Sequence, residues 1–121
     1  MKENILKNKS FKFAVRIVNL YKYLCDEKRE FVLSKQVLRS GTSVGAMVRE
    51  AEHSESKADF VHKMALAQKE INETLYWLEL LSETEYITTS EFDSINTDAV
   101  EIIKMLTSSI KTAKQSLTIN H

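Results

Sequence analysis

An all-α fold, an antiparallel up-down-up-down four-helix bundle, is predicted by three features of this 121-residue chain. It has no proline and two glycines, so it lacks the turn chemistry that strands joined by tight hairpins need. Its apolar residues recur at helical spacing in four separate segments. The links between those segments are short, which forces neighbouring long helices to run antiparallel. A single domain over residues 1–121 is expected, burying about two thirds of its unfolded surface.

The first helix is expected over about 10–26, with Ser10 as its N-cap. Phe11, Ala14, Val18, Tyr21 and Cys25 form one apolar stripe, and Phe13, Ile17, Leu20 and Leu24 form a second. Two stripes are more than one three-helix neighbourhood buries, so a subunit interface is expected. A charged link, Asp26 to Glu30, leads to the second helix at about 34–53. Its stripe is Val37, Gly41, Val44, Val48 and Ala51, and the period runs through both glycines without a phase break. Each glycine costs a helix about 1 kcal/mol relative to alanine. Gly41 and Gly45 therefore read as a close helix contact, with Ser40, Thr42 and Ser43 supplying small polar surface; the competing reading is a C-cap at Gly41 followed by a loop.

The third helix is expected over 56–83, roughly 40 Å long at 1.5 Å per residue. Ser56 and Asp59 resemble a capping box with aspartate in the place of glutamate. Its stripe is Phe60, Met64, Ala67, Ile71, Leu75, Leu78 and Leu81. Thr88 and Glu91 form a full S/T-x-x-E box that opens the fourth helix, expected over 89–116. There Phe92, Ile95, Ala99, Ile102, Leu106, Ile110, Ala113 and Leu117 repeat at nearly heptad spacing.

The formal charge is zero, but it is unevenly spread. Residues 1–45 carry ten basic and four acidic side chains, and residues 46–101 carry four and thirteen. One reading is a solvated surface whose ends attract its middle. The other is a basic face built from Lys9, Lys12, Arg16 and Lys22 on the first helix with Lys104, Lys111 and Lys114 on the last, able to touch RNA or DNA. Overall neutrality differs from the basic balance of dedicated nucleic-acid binders.

Cys25 is the sole cysteine, which excludes an intrachain disulfide and a cysteine-built zinc site and suits a small core residue. The N-terminal MKENILKNKSF lacks the apolar run of a signal peptide, and no segment approaches 18 continuous apolar residues. A cytoplasmic protein with no membrane span is expected.

Glu50 with His53, and Asp59 with His62, have the i, i+3 spacing of the Glu-x-x-His pairs in di-iron bundles. They sit at helix ends, however, and one pair carries aspartate, so surface capping is the better reading. Neither a metal nor a cofactor is expected. Glu70 and Glu73, one turn apart with Lys63 and Lys69 nearby, read as ion-pair partners on or between helices. With no triad pattern, phosphate loop or dinucleotide glycine motif, no catalytic residue is assigned and an enzyme is not expected. Tyr76 and Trp77 point about 100° apart on a helix, so one should face the bundle and the other a partner subunit or solvent.

The words RSGTSVGAMVREA at 39–51, SKADFVHKMALAQKEINET at 56–74 and YWLELL at 76–81 resemble the four-helix bundle family of proteins encoded in intervening sequences of bacterial 23S rRNA genes. A weaker match spans roughly 10–115. The resemblance implies a homo-oligomer, with a pentameric ring as the expected form. A related bundle, the accessory variability protein of diversity-generating retroelements, forms such a ring and works with a reverse transcriptase and nucleic acid. This chain departs from that relative in being neutral overall. A non-enzymatic assembly or scaffold module is the function expected, with an RNA- or DNA-binding accessory protein as the alternative and a protein partner such as a reverse transcriptase implied by the resemblance.

Overall fold

The computed structural model describes residues 2–119, with side chains from 5 to 117. Four helices follow in order: α1 (Lys2–Asp26), α2 (Leu33–Glu52), α3 (Lys57–Glu83) and α4 (Thr89–Ile119). Each packs on its chain neighbours, and α1 returns to α4 to close the bundle, so diagonal helices meet only through the core. The α1–α4 seam is the sparsest of the four.

The helices share one continuous apolar core. On α1 the buried positions are Leu6, Ser10, Phe13, Ile17, Leu20 and Leu24, alternating four and three residues apart as in a coiled-coil seam. Only the second of the two expected stripes therefore faces inward. Helix α1 also begins eight residues before the expected start. Ser10 is not an N-cap: it is 1% exposed in mid-helix, and its hydroxyl donates to the Lys7 carbonyl at 3.1 Å. The extra turns are held by Leu6, which is buried in the core. Cys25 lies on the outer stripe, half-buried rather than in the core, with its sulfur 3.8 Å from the Ser34 hydroxyl.

The α1–α2 link turns through Arg29 in the left-handed region at φ 54°, and the Glu30 N–H bonds the Leu24 carbonyl. The Glu30 carboxylate then caps α2 from outside the helix. It accepts the N–H groups of Val32 at 3.2 Å, Leu33 at 3.0 Å and Ser34 at 2.7 Å. The Ser34 hydroxyl donates back to the Glu30 carbonyl. Three of the four orphan donors that a helix start leaves are satisfied by this one side chain.

Helix α2 continues through Gly41 and Gly45, with Val37, Gly41, Val44, Val48 and Ala51 buried. Ser40 is buried too, so it is no part of the polar surface expected of it. Its hydroxyl donates to the Gln36 carbonyl and accepts from Thr74 of α3 at 2.9 Å. Thr74 thus holds the central core position of α3, between Ile71 and Leu78, while Leu75 is half-buried beside it. The heptad alternation Met64, Ala67, Ile71, Thr74, Leu78 and Leu81 sets this phase, and a threonine is tolerated there because Ser40 supplies a polar partner.

Helix α3 opens with the Ser56 hydroxyl accepting the Asp59 N–H at 3.1 Å, while Asp59 reaches back to the Glu55 N–H. Helix α4 opens with the reciprocal box: Thr88 accepts the Glu91 N–H at 3.1 Å, and Glu91 accepts the Thr88 N–H at 2.8 Å. The far end of α3 closes in a Schellman motif, with Tyr86 N–H on the Leu81 carbonyl and Glu85 N–H on the Ser82 carbonyl. Glu85 occupies the left-handed position at φ 66° that glycine favours. Glu85→Gly should therefore raise the unfolding free energy by about 0.5–1 kcal/mol, read as a higher urea midpoint with an unchanged slope. Glu85→Val should lower it.

Candidate functional site

The basic residues of α1 meet α4 along the sparse seam. Lys9 donates to Glu101 at 2.6 Å, and Arg16 donates to Asp98 at 2.8 Å and to the Ser94 hydroxyl at 3.0 Å. The hydrogen bond and the charge of Glu101 hold the Lys9 ammonium above its ordinary pKa. The first and last helices do lie side by side, but carboxylates of α4 sit within the expected basic face and neutralise Lys9 and Arg16. Among the described residues, Lys12, Lys22, Lys104 and Lys111 are exposed and make no ion pair. Lys114 is exposed on the last turns of α4.

The outer stripe of α1 stays partly unburied. Phe11 is 52% and Val15 45% exposed, while Ala14, Val18, Tyr21 and Cys25 are half-buried beside them. The Arg49 guanidinium of α2 lies 5.1 Å over the Phe11 ring, a cation–π contact at the α1–α2 border. Isolated exposed apolar residues are ordinary, but this stripe is continuous at helical spacing.

Beneath it, α1 and α2 approach closely. A Cβ placed on Gly41 would stand 2.7 and 2.8 Å from the two γ-carbons of Ile17, and one on Gly45 would stand 3.3 Å from the Ser10 carbonyl oxygen. The small residues face one another, Gly45 against Ser10, which permits the contact. Ser43 is half-buried, and its hydroxyl donates to the Arg39 carbonyl inside its own helix.

On α3, Trp77 packs half-buried against the core and Tyr76 is exposed, their rings edge-to-face with centroids 5.1 Å apart. The Trp77 indole nitrogen is buried with no hydrogen-bond partner among the described residues. Glu70 and Glu73 are bridged by Arg39 of α2 rather than by Lys63 or Lys69. Lys63 instead pairs with Asp59 one turn back. The ion pair expected on or between helices is thus an inter-helix one, through a partner that the α2–α3 packing delivers and that has no local signature. His53 and His62 are exposed, and no group of three potential metal ligands occurs among the described residues. No described helix is long and apolar enough to cross a membrane.

The geometry defines an all-α bundle with capped helix starts and ion pairs between its helices. Residues 2–108 match the family of the 23S rRNA-intervening sequence protein, and the chain belongs to that family. It is similar to a protein of unknown function from the S23 ribosomal protein family of Bacteroides thetaiotaomicron VPI-5482, whose crystal structure extends to 1.70 Å. Identity is 62%, the match covers 92% of this chain and 99% of that one, and the TM-score is 0.91. No curated protein matches the chain.

Proposed function

We propose that this protein is a non-enzymatic assembly module that self-associates through the outer stripe of α1, as a ring of five copies. The observation that carries the reading is the first apolar stripe of α1, left outside the core, with Phe11 and the neighbouring Val15 about half exposed. Burying a large apolar side chain contributes about 1.5–3 kcal/mol, and a ring repeats that gain at every joint. Light scattering should return a mass well above that of the 13.9 kDa chain. Phe11→Glu combined with Val15→Glu should lower the subunit count while helicity by circular dichroism stays unchanged. A parent protein that is monomeric at all concentrations would sink the reading.

A second reading, an RNA- or DNA-binding accessory role, is favoured by Lys12, Lys22, Lys104 and Lys111, which are exposed and make no ion pair among the described residues. It ranks lower because Lys9 and Arg16 already spend their charge on Glu101 and Asp98. Gel shifts against structured RNA decide between the two: affinity falling log-linearly with salt supports binding, and none at about 50 mM salt ends it.

A further inference from the structure

The end of the bundle where α2 hands over to α3 contains a cleft of about 770 Å³, in the range of cavities that take small organic molecules. All four helices wall it. Lys7 of α1 and Lys57 of α3 supply two ammonium groups, and Phe60, packed on the core, supplies an apolar wall. From α4 come Ser109 and Thr112, whose hydroxyls make no hydrogen bond among the described residues. Among the described residues Glu52 is the single carboxylate in the wall, and Lys7 holds it at 3.4 Å. The Lys57 ammonium donates to the Ser116 hydroxyl. Both contacts are at the surface, where such pairs contribute little, so either lysine can turn to a ligand at small cost.

Two ammonium groups suit a dianion better than a single carboxylate does. Phe60 offers a face or edge to a flat ring, and two unengaged hydroxyls offer hydrogen bonds to its polar edge. We propose that this cleft binds a phosphate carried on a flat aromatic body of mononucleotide size. Lys57 and Lys7 hold the phosphate, and the ring lies against Phe60. A free mononucleotide and the 5′-phosphorylated end of a strand present the same chemistry.

The test is a calorimetric and NMR titration of the full chain with the four nucleoside 5′-monophosphates, alongside adenosine and inorganic phosphate. At least one monophosphate should bind more tightly than either fragment and move the amide signals of Lys57, Phe60 and Ser109. Lys57→Gln should weaken it about tenfold, the scale of one charge-assisted contact. Glu52→Gln should strengthen it, because an opposing charge leaves and Lys7 is released. A 5′-phosphorylated dinucleotide that binds as tightly as the monophosphate assigns the site to strand ends, and one that is excluded assigns it to free nucleotides. The proposal is overturned if no monophosphate saturates below about 10 mM, if adenosine or inorganic phosphate binds equally well, or if Lys57→Gln leaves the affinity unchanged.

Discussion

Gly41→Ala is expected to destabilise the bundle by about 2 kcal/mol, although alanine is the better helix former by about 1 kcal/mol. The added Cβ would stand 2.7, 2.8 and 3.2 Å from three carbons of Ile17. Ile17 is fully buried and β-branched, so it is stiff at χ1 and retreats only at a cost. The two helices must part instead, and overpacking of this kind costs about 1–3 kcal/mol before propensity is counted. Gly45→Ala meets a single main-chain oxygen at 3.3 Å; there the propensity gain offsets the crowding, and stability should stay within about 1 kcal/mol of the parent. Leucine at either position should disrupt folding or assembly outright. Urea unfolding checks the ranking, and a double-mutant cycle with Ile17→Ala checks the cause. In the Ile17→Ala background the penalty at Gly41 should vanish or reverse. A Gly41→Ala protein as stable as its parent would show that α1 and α2 do not depend on this contact.

Glu30→Ala should cost about 2 kcal/mol, more than an ordinary cap, which contributes about 1 kcal/mol. The carboxylate serves three main-chain donors, and its loss leaves the N–H of fully buried Ser34 without a partner. Burial alone would raise the pKa of Glu30. The N–H groups of Leu33, Ser34 and Val32 and the Ser34 hydroxyl outweigh that, so the carboxyl sits below its ordinary 4.5. The sign follows from linkage: a depressed carboxylate contributes stability that is fully present above the unfolded value and is lost as pH falls through the folded one. The parent should therefore lose stability below about pH 4.5, and Glu30→Gln should flatten that acid limb. Denaturant titrations from pH 7 to pH 3 measure both. Equal pH slopes in parent and variant would remove Glu30 from the account.

Local chemistry explains why much of the fold was legible. The reciprocal Thr88–Glu91 box and the Ser56 cap are contained within four residues each, so their signal needs no tertiary partner. The apolar period of α2 passes through both glycines, and the helix does the same. Where reading the chain went astray, a distant residue made the decision. Ser10 looks like a cap, yet it is buried because Gly45 leaves room for its main chain. Leu75 reads as a core position of α3, yet Thr74 takes that place, because Ser40 of α2 gives its hydroxyl a buried partner. Lys9 and Arg16 look like a free basic face until α4 brings Glu101 and Asp98 against them.

The candidate surfaces divide the same way. The double stripe of α1 is written in its residue spacing, but which stripe faces inward is not. The inward choice follows from Leu6 and Ser10, which extend the Phe13–Leu24 seam by two further turns and place the smaller side chain opposite a glycine. By itself, then, the sequence determined the number of helices, their antiparallel order and the close approach at the glycines, because periodicity and capping act over one or two turns. Only the tertiary structure decided which apolar stripe is left outside, which charges are neutralised and where the four-helix cleft opens, because each depends on residues that helix packing alone brings together.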